Sequence, residues 1–372
     1  MTVVGAGIVG LSIAWRLASA GCRVDVFDKG EAGHGATHAA AGMLAAAIET
    51  EPGEQPLLDL TLESQRRWPG FAAELEAASG LSVGLRTDGT LQVALTRDDL
   101  ELLRSSYEFQ KGLGLNIAWL TGTQAREMEP YLNPRAAAGV HSPGDGQVDN
   151  RAAAAALRLA LLKAGGELHE YTEVEAIEVE GGRVRGVQVA ERLHPADVVV
   201  LAAGAWSRGI PGLPIAAQPP VRPVKGQMLS VAMDPGDPLL RHVVWAPKCY
   251  LVPRRDGTLI VGATTEEKGW DDRLTAGGVL ALLEAAWRAL PGIEERPIQE
   301  MWTGFRPGSR DDAPILGLAP EADGLVLATG HHRNGILLAP VTADLIAELV
   351  LTGRADPLVE RFGIGRFARA GA

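Results

Sequence analysis

The sequence predicts a mixed α/β (α+β) protein, in which a parallel sheet covered by helices is combined with a second, largely antiparallel sheet. Apolar runs at 2–4 and 197–204 are short and rich in β-branched residues, which is typical of buried parallel strands. Between residues 221 and 305, segments such as 249–253 and 258–262 alternate like strands separated by turns, which indicates a mixed sheet. The 372 residues are enough for two domains.

The first strand runs directly into a glycine motif. Residues 2–10 break from a β-run into G-x-G-x-x-G, and residues 11–20 continue as a helical pattern. Gly5 permits a tight turn, Gly7 lets the backbone approach a pyrophosphate, and Gly10 lets the helix pack closely. The N-terminal N–H groups and dipole of this helix favour phosphates. The segment is therefore predicted to be a Rossmann-like dinucleotide site, with a merely structural glycine turn as the alternative.

The second strand and the loop after it extend this site. Residues 24–28 are predicted to be a strand, and Asp28 at its end would accept hydrogen bonds from ribose hydroxyls and repel a 2′-phosphate. An ordinary strand-end carboxylate is the other interpretation of Asp28. Residues 35–43 have almost no large side chains, which suits close approach of a flat ligand, and Thr37 would bond a phosphate or a flavin edge. A flexible linker is the alternative for this loop.

A second strand-to-helix turn lies near the C-terminus. The apolar strand 325–330 leads into His-His-Arg-Asn-Gly at 331–335, and a helix is predicted to begin near 335–337. The positive end of that helix and the charge of Arg333 would stabilise a reduced flavin. FAD alone is favoured because the sequence has no second glycine motif that could bind NAD(P)H beside a flavin. A flavin-dependent disulfide reductase is not expected, because the sequence has no CxxC motif. A capped helix with a solvated Arg333 is the alternative.

The order of helical and strand patterns along the chain predicts two discontinuous domains. Residues 57–75 are helical in pattern with a break or kink at Trp68-Pro69, and short strands begin near residue 83. The strand at 197–204 belongs to the first domain by its character. We expect an FAD-binding domain at 1–82, 141–215 and 306–372, and a substrate-binding domain at 83–140 and 216–305.

Composition argues against several function classes. The formal net charge of −11 disfavours nonspecific binding to nucleic acid or to an anionic membrane surface. No apolar run approaches the roughly 18–20 residues that cross a bilayer, and no signal-peptide pattern precedes the first strand, so we expect a cytoplasmic location. Cys22 and Cys249 are far apart and the histidines lack metal-like spacing, so neither a disulfide framework nor a metal site is expected.

Several motifs together carry a resemblance to a known family. The chain resembles the D-amino-acid-oxidase-like FAD-dependent oxidoreductases and, among them, the glycine oxidases of thiamine thiazole biosynthesis. The resemblance extends over essentially the whole length. It rests on the glycine motif at 5–10, the loop 37–43, Pro-Val-Lys-Gly-Gln at 223–227, Gly-Ala-Thr at 262–264, Trp-Thr-Gly-Phe-Arg-Pro at 302–307 and the stretch 330–340.

The resemblance implies a binding site for an amino-acid carboxylate. In the family an arginine and a tyrosine hydroxyl hold this group, and they match Arg306 and Tyr250; Arg333 matches a further residue of the substrate site. A guanidinium suits the role because it meets a carboxylate with two parallel hydrogen bonds. From the residues alone, a surface ion pair with Asp311 or Asp312 is the alternative for Arg306. Tyr250 alone would more often be a core aromatic.

The resemblance and the motifs together also imply the contacts of a non-covalent FAD. Covalent attachment through a cysteine is not expected, because none follows Cys249. The implied cofactor contacts are Gly5, Gly7, Ile8, Val9, Gly10, Asp28, Lys29, Ala36, Thr37, Ala41, Gly42, Met43, Val174, Gly204, His331, His332, Arg333, Asn334, Gly335, Ile336 and Leu337.

The implied reaction is oxidative deamination of glycine, and of sarcosine or small D-amino acids, by hydride transfer to the flavin. O2 then gives hydrogen peroxide, and the imine hydrolyses to glyoxylate and ammonia or passes to a thiazole synthase. The family also implies a homotetramer. Lys248 and Thr265 replace a histidine and a methionine expected near the site, which leaves substrate preference open. The alternatives are a D-amino-acid dehydrogenase, a sarcosine oxidase-like amine oxidase and a non-catalytic FAD-binding protein.

Overall fold

The two ends of the chain meet in one sheet, here called the parallel sheet. The structure is a computed structural model and describes residues 1–371. Within these residues the parallel sheet consists of six strands: β1 (Thr2–Val4), β2 (Asp25–Phe27), β8 (Glu167–His169), β12 (Val199–Leu201), β18 (Ile315–Leu318) and β19 (Leu325–Thr329). Their order is β18-β19-β12-β1-β2-β8, and the β18–β19 pair at one edge is antiparallel. The glycine motif after β1 therefore lies at the centre of the sheet, between the ends of β2 and β12.

The middle of the chain builds most of a second sheet, here called the large sheet. In the described part of the chain its eight strands are β4 (Thr90–Ala94), β5 (Ala118–Thr121), β6 (Ala138–Ser142), β13 (Arg222–Ala232), β14 (Val243–Ala246), β15 (Cys249–Pro253), β16 (Thr258–Gly262) and β17 (Ile298–Gly308). Their order is β17-β13-β16-β15-β14-β4-β6-β5; β14 and β4 pair in parallel, and the other neighbours pair antiparallel. The combination confirms the predicted mixed α/β class.

Two smaller sheets and the helices complete the fold. The small sheets pair β3 (Met43–Leu44) with β7 (Gly146–Gln147), and join β9 (Ala176–Glu180), β10 (Arg183–Val189) and β11 (Arg192–Pro195). The helices are α1 (Ile8–Ser19), α2 (Ala36–Ala39), α3 (Leu58–Ser79), α4 (Arg97–Gly112), α5 (Gly122–Met128), α6 (Asn150–Lys163), α7 (Ala276–Ala289), α8 (Ala339–Thr352) and α9 (Pro357–Arg361). Short 3₁₀ helices lie at Pro52–Leu57, Gly204–Gly209, Ile215–Ala217, Pro291–Glu295, His332–Asn334 and Ile364–Gly371.

Alternate side chains of the parallel sheet enter two different cores. Val3 and Val200 pack with α1, α3, α6 and α8 on one face. Val4 and Leu201 pack with β9 and β10 on the other face. A third core lies between the large sheet and α7, around Leu282. Both faces of the parallel sheet are therefore covered, which explains why its strands are continuously apolar in the sequence.

Two helix boundaries differ from the sequence expectation. The helix α3 passes through Pro69 without ending, because Trp68 and Phe71 are both buried and hold consecutive turns against the core. The last long helix, α8, begins at Ala339 rather than near 335–337. A 3₁₀ turn at His332–Asn334 and further turns precede it, and His332 has a positive φ of 47°.

Residue 372, the end of the predicted FAD-binding domain, lies outside the described residues. Among residues 1–371, no helix is both long and apolar enough to cross a membrane.

Candidate active site

A cavity of about 740 Å³ opens where the carboxyl ends of the parallel strands face the large sheet. Gly5 follows β1, Asp28 follows β2, Ala202 follows β12, and all three line it. On the other side the lining includes Tyr250 of β15 and Arg306 of β17. Ligands of open α/β sheets bind at this edge, and the volume is in the upper part of the roughly 300–1,000 Å³ found for ligand pockets.

The glycine motif has the close contacts that its sequence predicts. Gly5 has a φ of +102°, and a Cβ added there would lie 2.5 Å from the carbonyl oxygen of Ala202. A Cβ at Gly10 would lie 1.9 Å from the carbonyl oxygen of Gly5. Gly10 is the one cofactor-binding residue of the prediction that is absent from the described cavity lining, so its contribution is helix packing rather than contact.

Backbone N–H groups around the motif are held by two predicted residues. Asp28 accepts from the N–H of Ala6 through Oδ2 (2.7 Å) and from the N–H of Gly30 through Oδ1 (2.9 Å). Thr37, which is buried, accepts from the N–H of Ile8 through Oγ1 (2.9 Å). Each carboxylate oxygen of Asp28 keeps acceptor capacity for a ribose hydroxyl. The N-cap of α1, Gly7, has no side chain, so a phosphate can approach the helix end.

Two residues that the sequence analysis did not identify form hydrogen bonds to the backbone of the small-residue loop 35–43. Asn150 donates from Nδ2 to the carbonyl oxygen of Thr37 (2.7 Å). Arg254 donates to the carbonyl oxygens of Ala41 and Val148, each at 2.8 Å. Burial lowers the pKa of Arg254 to about 10. The loop is therefore a fixed wall of the cavity, and the flexible-linker interpretation is wrong.

Arg306 presents a guanidinium that is bonded only weakly within the protein. Its Nη1 donates to the carbonyl oxygens of Thr264 (3.1 Å) and Lys225 (3.4 Å). Among residues 1–371, no carboxylate forms an ion pair with it: Asp311 pairs with Arg366 and Asp312 lies 3.6 Å from Arg222. The surface ion pair that was the alternative for Arg306 is thus not formed. A cation in the cavity wall with neutral partners is suited to an external anion.

Two glycines of the large sheet make room for the predicted substrate residues. A Cβ at Gly226 would lie 2.8 Å from Nη1 of Arg306. A Cβ at Gly262 would lie 2.3 Å from the ring of Tyr250. Both side chains therefore lie flat across backbone. The hydroxyl of Tyr250 lies 3.8 Å from Sδ of Met228, and burial raises the pKa of Tyr250, which keeps the phenol neutral and able to donate.

The C-terminal turn enters the cavity, but its arginine is already paired. Nε of Arg333 lies 3.2 Å from Oε2 of Glu49, and Nη2 pairs with Glu54. Arg333 is therefore ion-paired, and the solvated arginine that was the alternative in the sequence analysis is not observed. His331 is buried and lies 3.1 Å (Nε2) from Oγ1 of Thr342, and burial lowers its pKa to about 4. The delayed start of α8 puts this turn, rather than the end of a helix, beside the cavity.

The structure brings the other predicted site residues to the cavity as well. Lys248 and Thr265 also line it, and both are exposed. Glu49 is a lining residue that the sequence did not indicate, because its position depends on contacts with residues far away in the chain. The predicted residues in the lining are Gly5, Gly7, Ile8, Val9, Asp28, Lys29, Ala36, Thr37, Ala41, Gly42, Met43, Val174, Gly204, Tyr250, Arg306, His331, His332, Arg333, Asn334, Gly335, Ile336 and Leu337.

This architecture is that of a dinucleotide-binding protein with a second ligand site at the far end of one cavity. A family model described as FAD-dependent oxidoreductase (DAO) matches residues 1–349. The chain belongs to this family. The glycine motif, the uncapped helix end and the small-residue wall fit FAD, so the cofactor expected from the sequence is confirmed.

Relatives and solved structures agree with this assignment. The chain is 40% identical over 353 residues to "Glycine oxidase" of Geobacillus kaustophilus (strain HTA426), a match that covers 94% of this chain and 92% of the relative. It is 40% identical over 372 residues to "Bifunctional protein ThiO/ThiG" of Synechocystis sp., covering 98% of this chain and 53% of that protein. The crystal structure of glycine oxidase from Geobacillus kaustophilus superposes with a TM-score of 0.91 at 38% identity, covering 98% of both chains.

Proposed function

We propose that this protein catalyses the FAD-dependent oxidative deamination of glycine, and of sarcosine or small D-amino acids, with O2 as acceptor. The observation that carries the proposal is one cavity that joins the dinucleotide site to Tyr250 and to the guanidinium of Arg306, which has no carboxylate partner among residues 1–371. The relatives named glycine oxidase support it, since they match nearly the whole chain.

The substrate is held by its carboxylate. Arg306 forms two parallel hydrogen bonds to the carboxylate, and the neutral phenol of Tyr250 donates a third. Arg333, paired to Glu49 and Glu54, fixes the cavity wall at the turn. When bound, FAD supplies the acceptor of the hydride that leaves Cα. The protein contributes orientation and a water-poor cavity, and the resulting imine hydrolyses to glyoxylate and ammonia while O2 is reduced to hydrogen peroxide.

FAD is held without a covalent bond by the predicted residues. Backbone N–H groups at the start of α1 meet the pyrophosphate, and Asp28 meets a ribose. The loop 36–43, Val174, Gly204 and the turn 331–337 enclose the remainder. The predicted two-domain division is part of this proposal. The cofactor lies in the FAD-binding domain, and the substrate is held between the two domains, by Tyr250 of the substrate-binding domain and by Arg306 and Arg333 of the FAD-binding domain.

A thiamine-pathway role belongs to the same proposal. In the Synechocystis protein named ThiO/ThiG, a region similar to this chain is fused to a further region. That arrangement supports delivery of the imine to a thiazole synthase. A homotetramer and a cytoplasmic location complete the proposal, and light scattering of the purified protein tests the tetramer.

Product analysis tests the proposed reaction. The FAD-loaded protein is given glycine, sarcosine or D-alanine in air, and oxygen uptake, hydrogen peroxide and glyoxylate or pyruvate are measured. We expect equal amounts of peroxide and glyoxylate from glycine. Turnover with a dye or quinone but without peroxide would show a dehydrogenase instead. No turnover with any of the three amino acids would contradict the proposed function.

A further inference from the structure

Glu49 is a carboxylate in the cavity to which the proposed function gives no chemical role of its own. It lies between β3 and the 3₁₀ helix Pro52–Leu57, and it lines the same cavity as Arg306 and Tyr250. Its side chain is 13% exposed. A carboxylate this well covered inside a substrate cavity is a candidate for a role in proton transfer.

Contacts from two directions fix the segment that carries Glu49. Arg333 donates from Nη2 to the backbone carbonyl oxygen of Glu49 at 2.8 Å, in addition to its ion pair with the side chain. On the opposite flank, the fully buried carboxylate of Asp145 accepts from the N–H groups of Ala47 and Ile48, each at 3.1 Å. The position of Glu49 is therefore set before any substrate binds.

The charges around Glu49 partly offset one another. Burial raises the pKa of Glu49 to about 7, Arg333 and Arg306 oppose this rise, and Asp145 and Glu54 add to it. Glu51 and Tyr250 line the same cavity. Near neutral pH, Glu49 is thus able both to accept and to release a proton, which a carboxylate with an ordinary pKa does much less well.

We propose that Glu49 is a further catalytic residue, which receives the ammonium group of the substrate and takes one proton from it while Arg306 and Tyr250 hold the carboxylate. The inference rests on the proposed function. One N–H bond of the ammonium breaks, and an O–H bond forms on Glu49. The charged pair becomes an amine and a carboxylic acid. The nitrogen lone pair then supports transfer of a hydride from Cα to the acceptor that bound FAD would supply, which leaves an iminium, and Glu49 returns its proton to solvent before the next turnover.

A simpler role for Glu49 would be to hold Arg333 in place. A variant of Glu54 distinguishes this role from proton transfer. Glu54 pairs with the same guanidinium but is not part of the described cavity lining. Glu54→Gln therefore removes one carboxylate from Arg333 and leaves the proton acceptor in place. Glu49→Gln removes both a carboxylate and the proton acceptor.

The first experiment measures kcat/KM for glycine from about pH 5 to pH 9 with FAD-loaded proteins. In the unaltered protein we expect a rise through about pH 7, where Glu49 ionises. Glu49→Gln should abolish this limb and lower kcat/KM roughly 100- to 10,000-fold above it, the usual effect of losing a general base. Glu54→Gln should keep the limb but move it to lower pH, because Glu54 no longer raises the pKa of Glu49. Glu49→Asp, which keeps a carboxylate, should restore a limb even if the amide variant folds poorly.

The second experiment measures binding without turnover. Acetate has the substrate's carboxylate but no amine, and its binding is followed by the change in flavin absorption. Because ionised Glu49 repels acetate, affinity should fall as pH rises through about 7 in the unaltered protein. Glu54→Gln should keep this fall at a lower pH, and Glu49→Gln should lose it. Retention of both pH effects in Glu49→Gln, or their loss in Glu54→Gln, would overturn the assignment. Acetate binding remains measurable if glycine proves not to be a substrate. A failure of the proposed function can therefore be distinguished from a failure of the Glu49 assignment.

Discussion

Replacing Gly226 by alanine tests the substrate site without removing any charge. The new Cβ would lie 2.8 Å from Nη1 and 3.0 Å from Nη2 of Arg306, whereas ordinary contacts begin at 3.4 Å. The guanidinium must therefore retreat by about half an ångström. The φ of Gly226 lies outside the positive range that disfavours side chains, so the backbone of β13 accepts alanine without strain.

The expected effect follows from the geometry of the bound carboxylate. Two parallel N–H···O bonds tolerate little displacement, and loss of one charge-assisted bond costs about 1.5–3 kcal/mol. Because 1.36 kcal/mol corresponds to a factor of about ten, we expect kcat/KM for glycine to fall roughly 10- to 100-fold. The free energy of unfolding should change little, since the atoms displaced are the far end of a flexible side chain.

The assay is oxygen uptake with glycine, with FAD content and thermal unfolding as checks on integrity. Gly70→Ala is the matched control, because no atom lies within 4 Å of the Cβ it would add. In an Arg306→Ala background, Gly226→Ala should have no further effect if it acts through the guanidinium. A full effect in that background would refute the reasoning, as would a change below about twofold in the single variant.

Three further outcomes are expected. Arg306→Ala should raise KM for glycine far more than Arg306→Lys, because only a guanidinium binds a carboxylate with two parallel bonds; equal effects in steady-state kinetics would remove Arg306 from the site. Thr37→Val should leave the buried N–H of Ile8 without its acceptor and lower the free energy of unfolding of the apoprotein by about 1–3 kcal/mol in urea, and no change would contradict this. Arg254→Met should free the carbonyl oxygen of Ala41 and destabilise by at least about 2 kcal/mol with weaker FAD binding, and titration with FAD checks the latter.

The nucleotide half of the site was accessible from sequence because its residues are close together in the chain. Gly5, Gly10 and Asp28 lie at spacings set by one strand-helix-strand unit, and the structure places the corresponding turn and strand ends where these spacings require. Arg306 and Tyr250, by contrast, entered through family resemblance. No local pattern distinguishes them from an ion-paired arginine or a core tyrosine.

The remaining features depend on contacts between distant segments. Glu49 reaches the cavity because Asp145 and Arg333 hold its segment from either side, and no periodicity in the sequence encodes that arrangement. The start of α8 was predicted too early, since Ile336, Leu337 and Leu338 are apolar and continue the helical pattern towards the N-terminus. Pro69 did not end α3, because the neighbouring Trp68 is buried and tertiary packing outweighs the lost backbone hydrogen bond.

The central claim is that one cavity holds FAD and an amino-acid carboxylate in reacting positions. Anaerobic mixing of the FAD-loaded protein with glycine tests it most directly, with the flavin absorption followed in a single turnover. We predict that the yellow absorption is lost, that glycine deuterated at Cα slows the loss, and that admission of air restores the colour with formation of peroxide. A flavin that stays oxidised in the presence of saturating glycine, sarcosine and D-alanine would contradict the account.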